Sequence, residues 1–146
     1  MTRYVVDASV ILKWVLGKEQ EADQTRAENL LTAWVEGRIE LAAPILWQYE
    51  VGNFLGRELP RHAEEKMGLL LNLRIRTIDL NEGMCRQCFE WMRKNSVTFY
   101  DAAYLAVAFE IQGTLITADE RFVKRMGKLE QLCLLKNLDF GFPASA

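Results

Sequence analysis

Four acids stand in apolar company. Asp7 ends the run YVV, Glu50 lies among Trp47, Tyr49, Val51 and Phe54, Asp101 opens the stretch DAAYLAVAF, and Asp119 follows LIT by one residue. Asp7, Asp101 and Asp119 each fall near a predicted helix start, where backbone N–H groups and the helix dipole favour a carboxylate without any further purpose. Glu50 has no such explanation. It sits within a predicted helix, no lysine or arginine lies within one turn of it, and an acid among apolar neighbours needs a partner. Two carboxylates about 5 Å apart repel by roughly 3 kcal/mol at an effective dielectric near 20. Four acids gathered together therefore favour proton uptake or a bound cation. The set contains no histidine or cysteine, and hard oxygen donors select magnesium or manganese over zinc. Ser9 and Thr117 each lie two residues from an acid and are placed to support it, while Glu50, Asn53 and Arg57 are spaced to share one helix face.

Positioning these residues falls to five short β-type runs, at 3–6, 39–43, 74–80, 114–117 and 132–135. Helical stretches are predicted at 8–15, 20–36, 45–58, 61–72, 82–95, 100–112 and 119–127, punctuated by Pro44, Pro60, Gly37, Gly113 and Gly127. The alternation predicts an α/β domain with a mainly parallel sheet covered on both faces. Ligands of such sheets gather beyond the carboxyl ends of the strands, where strand order reverses, and the four acids can converge there. We expect a single domain over 1–140 with a fraying tail at 141–146. The polar stretch GKEQEADQTRAE, 17–28, is expected to be a mobile loop running into a helix.

Composition narrows the function. The net charge is −2, from 18 basic and 20 acidic side chains, which argues against holding nucleic acid by bulk charge. Outside the four acids, however, the balance is 18 basic against 16 acidic. Cys85 and Cys88 form a C-x-x-C, but within a predicted helix rather than at its N-terminus, so they read as small apolar residues and not as a redox pair. His62 is the sole histidine, which leaves zinc without a ligand set. No apolar run is long enough to span a bilayer, and MTRYVVDASV lacks the pattern of an export signal; the expectation is a cytoplasmic protein without membrane attachment. Met84, Cys88, Trp91 and Met92 form a stripe on the 82–95 helix that serves either the core or a subunit contact.

The four acidic motifs resemble those of the PIN-domain family, and most closely its VapC-type toxin ribonucleases. VVDASV resembles the family's first strand and aspartate, EVGNFL its helical glutamate, and YDAAYLAVA and LITADERF its third and fourth acidic motifs. Gly52, where many relatives carry alanine, is a mild departure that costs helix propensity only. The resemblance implies a PIN-like α/β/α sandwich with a five-stranded parallel sheet in order 3-2-1-4-5, and a homodimer. It implies Mg2+- or Mn2+-dependent cleavage of RNA with Asp7, Glu50, Asp101 and Asp119 binding metal, and a cognate antitoxin protein that occludes the site. Lys13, Arg57, Arg121 and Lys124 are the candidate phosphate contacts, and Trp14, Trp47, Tyr100 and Phe122 the candidates for base stacking, with core packing the competing role. Other readings are a PIN nuclease of RNA processing outside any toxin pair, and a non-catalytic binding module of the same fold. No acid has been lost, which disfavours the module. A phosphoacceptor of response-regulator type would want an acidic pair after the first strand, and VVDAS supplies one aspartate.

Overall fold

The central strand is the apolar run that ends at Asp7. In the computed structural model, which describes residues 1–17 and 22–139, β1 (Thr2–Val6) grows steadily more buried toward its carboxyl end, where Val5 and Val6 are wholly enclosed. It is flanked on one side by β2 (Ile39–Ala43) and on the other by β4 (Thr114–Thr117), with β3 (Arg76–Thr77) and β5 (Leu132–Leu134) at the edges. All pairings are parallel and the order is β3-β2-β1-β4-β5, as expected. Strand order reverses between β1 and β4. The carboxyl ends of these two strands deliver Asp7 and Asp119.

Helices α1 (Ala8–Leu16), α2 (Ala22–Val35), α3 (Leu46–Glu58), α4 (Ala63–Asn72), α5 (Glu82–Asn95), α6 (Phe99–Glu110) and α7 (Glu120–Met126) connect the strands. Every residue of α6 from Ala102 to Ala108 is buried. A helix apolar on all sides must be covered on all sides, and α6 lies on β1, β2 and β4 with α5 packed against it. Its alanines at 102, 103, 106 and 108 allow that close approach. On the other helical group, α1 packs against α2, α3 and α4 as well as the sheet. Its C-terminal end is held by two foreign donors: Gln24 Nε2 gives a 2.8 Å hydrogen bond to the Lys13 carbonyl, and Lys66 Nζ a 2.7 Å bond to that of Val15. The Lys66 bond satisfies a carbonyl that the helix end leaves open, the Gln24 bond joins the Gly17 amide on the Lys13 carbonyl, and together they fix the helix that begins beside Asp7.

The turn from α6 into β4 demands glycine. A Cβ at Gly113 would lie 2.6 Å from the backbone oxygen of Arg3, closer than any real contact. Nearly all the buried hydrophobic residues of the described chain form one cluster from Val5 to Leu138. Among the described residues, no helix is long and apolar enough to cross a membrane.

One expectation needs correction. The run 74–80 forms only the two-residue strand β3, since Arg74 adopts a left-handed conformation (φ 57°) as it leaves α4 and both β3 residues are exposed at the sheet edge. β-Branched composition signals extended backbone there, but a strand also needs a neighbour, and β2 offers Ala42 and Ala43 alone. Of the α5 stripe, Met84, Cys88 and Trp91 are buried and only Met92 is exposed, so the stripe belongs mostly to the core. Within 17–28, residues 18–21 lie outside the described residues, and from Ala22 onward the chain is helical. The tail 141–146 also lies outside them.

Candidate active site

Asp7 is the N-cap of α1, and its Oδ1 accepts from the Val10 amide at 3.3 Å and from Ser9 Oγ at 2.5 Å. The same Ser9 hydroxyl oxygen accepts from the Ala118 amide at 3.0 Å. One serine thus ties the loop after β1 to the loop after β4. Thr117, wholly buried at the end of β4, accepts from the Asp119 amide at 3.0 Å and hydrogen-bonds the Asp7 carboxylate. Asp119 caps α7 through Oδ1, which accepts from the Phe122 amide at 3.0 Å. Capping and site formation are therefore compatible: a cap occupies one carboxylate oxygen and leaves the other to face the cleft.

Asp101 lies in the first turn of α6, whose cap is Thr98: Thr98 Oγ1 accepts from the Asp101 amide at 3.1 Å. Glu50 comes from α3, and its partner is Tyr104, whose phenol donates a 2.6 Å hydrogen bond to Glu50 Oε1. Tyr104 is 2% exposed and one helical turn beyond Asp101, so this buried hydroxyl resolves the isolation of Glu50 seen in the sequence. All four acids line one cleft of about 400 Å3, together with Ser9, Leu12, Asn53, Phe54, Arg57 and Tyr104. A second hollow of about 260 Å3 adjoins it, sharing Asp101 and Asp119 and adding Val97, Arg121, Phe122 and Arg125.

Electrostatics follow from the crowding. Burial pushes the Asp7 carboxyl up to about 6, against the opposing hydrogen bonds of Ser9, Thr117 and Val10, and the Asp101 charge adds to the rise. Burial also raises Glu50, tempered by the Tyr104 hydrogen bond. Asp101 is raised by burial and then by Asp119, with Thr98 and Arg125 opposing. Tyr104 is held well above the ordinary phenol range by burial and by Glu50, so it stays a donor. Such a site relaxes on gaining positive charge. Among the described residues no group of three or more histidine, cysteine, aspartate or glutamate side chains stands close enough together to hold a metal ion, so an ion in this cleft would take at most two carboxylates directly. That arrangement suits an oxygen-seeking divalent ion which keeps several waters and takes only one or two carboxylates directly, as magnesium does.

The structure brings Asp7, Glu50, Asp101, Asp119, Ser9 and Asn53 to one cleft, with Thr117 beneath it. Arg57 lines the cleft and Arg121 the adjoining hollow, whereas Lys13 and Lys124 line neither. Of the aromatic candidates, Trp47 and Phe122 are core residues and Trp14 donates its indole N–H to the Ala27 carbonyl, leaving only Tyr100 well exposed. Sequence reasoning missed Tyr104 and Arg125. The spacing of Tyr104 from Asp101 was a usable signal, since residues three apart share a helix face.

Comparison with known proteins gives a consistent picture. The PIN domain family model matches residues 4–128. The chain is 30% identical to Ribonuclease VapC1 of Mycobacterium tuberculosis over 131 residues, covering 87% of this chain and 93% of that protein. It is 29% identical over 134 residues to Ribonuclease VapC3 of Pyrobaculum aerophilum, covering 87% of this chain and 97% of that protein. Among solved structures, a toxin–antitoxin complex from Klebsiella pneumoniae superposes with a TM-score of 0.66 at 16% identity, over 90% of this chain and 97% of that one.

Proposed function

The chain belongs to the PIN domain family, and from that premise we propose that it is a Mg2+- or Mn2+-dependent endoribonuclease, the toxin of a toxin–antitoxin pair. The observation that carries the reading is that four acids from four separate segments line one cleft without a histidine or cysteine among them. The names of its relatives support ribonuclease activity, and the Klebsiella complex supports a protein antitoxin as partner.

Asp7, Glu50, Asp101 and Asp119 would hold the ion, in part through water. When bound, the ion would supply Lewis acidity to a phosphoryl oxygen and acidify the attacking water. The chain's own residues do the rest. Asp7, raised to about 6 by burial, would share in holding the ion, whose charge would offset the cost of a buried carboxylate there. Tyr104 holds one oxygen of Glu50, so the carboxylate presents the other in a fixed direction. Ser9 locks the Asp7 segment to the Asp119 segment and keeps their separation constant through the reaction, which is what positioning contributes to rate. Asn53 and Arg57 on α3 form the wall nearest Glu50 and contact an RNA phosphate; the Arg57–Glu58 pair at 3.8 Å is exposed and too weak to prevent this. In the toxin reading, an antitoxin blocks the cleft by inserting a cationic side chain among the same carboxylates, where a guanidinium fork fits best. A homodimer is part of the proposal on family resemblance alone, since the stripe on α5 is mostly core.

The test is cleavage of a labelled RNA, and of DNA with the same sequence, by the purified chain in magnesium, in manganese and in chelator. RNA cut only with metal, and left intact by the Asp101→Asn variant, is the expected result. Cleavage in chelator, or full activity of that variant, contradicts the reading.

A further inference from the structure

Asp101 and Asp119 stand at a waist between two hollows, since both residues line each, while Asp7 and Glu50 line the larger cleft alone. A single strand whose scissile phosphate lies at the waist must run out through a hollow on each side. The two flanks differ in charge. Among the described residues, the one guanidinium lining the α3 side is that of Arg57, 70% exposed and already beside Glu58. On the α7 side Arg121 and Arg125 stand one turn apart on the same helix face, over a floor of buried Val97 and Phe122. Among the described residues, neither of these two arginines has a carboxylate within ion-pair distance.

Arg125 is also held in place. Its Nη1 donates a 2.8 Å hydrogen bond to the Ser96 carbonyl, and its own carbonyl accepts from Asn95 Nδ2 at 3.0 Å. Ser96 presents that carbonyl from a left-handed conformation (φ 56°) that ends α5. One of five guanidinium donors is spent on the anchor, and the others remain for a ligand. A side chain ordered in advance loses less entropy when it binds. A pre-ordered guanidinium that closes no ion pair among the described residues, beside a second one, over an apolar floor and next to the four acids, matches the two unesterified oxygens of a backbone phosphate.

We propose that the hollow between α6 and α7 is a second phosphate subsite, in which Arg121 and Arg125 grip the RNA phosphate adjacent to the one cleaved. The proposal rests on the RNA reading above. It assigns the strand a direction of exit, over α7, that the acids alone do not give.

The experiment measures anisotropy of a fluorescein-labelled single-stranded RNA of mixed sequence, in magnesium, across a salt series. A Glu50→Gln background prevents cleavage and alters no residue of the hollow. Arg121→Gln and Arg125→Gln should each weaken binding about tenfold near physiological salt and reduce the slope of log K against log salt by about 0.7, the value of one single-strand phosphate contact. Lys124→Gln, on α7 but outside the hollow, should leave the slope unchanged. In the otherwise wild-type enzyme the two arginine changes should raise KM far more than they lower kcat. Because Arg125→Gln also alters the anchor at Ser96, Arg121→Gln decides the matter if the former loses its cooperative melt. Unchanged affinity and slope in Arg121→Gln, or a fall in kcat at constant KM, overturns the subsite. A wild-type protein that neither binds nor cuts RNA overturns the ribonuclease reading and the subsite with it; normal cleavage that ignores both arginines overturns the subsite alone.

Discussion

Asp7 caps a helix, receives Ser9 and carries a charge in a place that burial makes costly. Its carboxyl is raised to about 6, so the folded state binds a proton more tightly than the unfolded chain does. The sign follows from linkage: this stability is fully present below the unfolded value near 4 and is lost as pH rises through about 6. Glu50 and Asp101, raised by the same burial, act in the same direction. In chelator, the protein should therefore melt at a higher temperature at pH 5 than at pH 7.5. Asp7→Asn should remove much of that difference and stabilise the neutral-pH protein by up to about 3 kcal/mol, because asparagine keeps the cap while discarding the charge. A variant whose melting curve tracks the wild type at every pH would contradict this account of Asp7. At this scale the acids were legible because residue type and neighbours announce them. Tyr104 was not, because its partner lies in another helix 54 positions away in the chain. Nor could proximity in sequence place Lys13 and Lys124, since lying near an acid along the chain does not fix which helix face turns to the cleft.

The α6–β4 unit does most to converge the site, since α6 begins with Asp101 and β4 ends at Thr117 and Asp119. Its turn tolerates no side chain. Gly113→Ala should cost at least about 2 kcal/mol, as overpacking against backbone does, with a matching fall in the urea midpoint. An unchanged midpoint would show that β1 and β4 can separate there without penalty. Most elements were readable, because helical periodicity and the Pro and Gly punctuation act locally. β3 was not, since its length depends on what β2 offers at the sheet edge. The α1 anchors Gln24 and Lys66 were likewise invisible, because each bonds a carbonyl in a different helix.

For the molecule as a whole, alternation of strands and helices was enough to give a parallel α/β sheet, while strand order came from the resemblance of four motifs taken together. Assembly is the least legible property. With Met84, Cys88 and Trp91 turned inward, Phe89, Met92 and Phe109 remain as exposed apolar groups on α5 and α6. Light scattering at micromolar concentration should nonetheless give twice the chain mass of 16.8 kDa, and the single-chain mass would contradict the dimer. The central claim for the molecule is that four acids, drawn from four segments, act as one cation site. Calorimetric titration of Mn2+ into the purified protein tests that without reference to any substrate. It should show saturable binding in the wild type, weakened at least tenfold by Asp101→Asn and untouched by Lys124→Gln. Equal affinity in wild type and Asp101→Asn would contradict the claim that these carboxylates hold the metal.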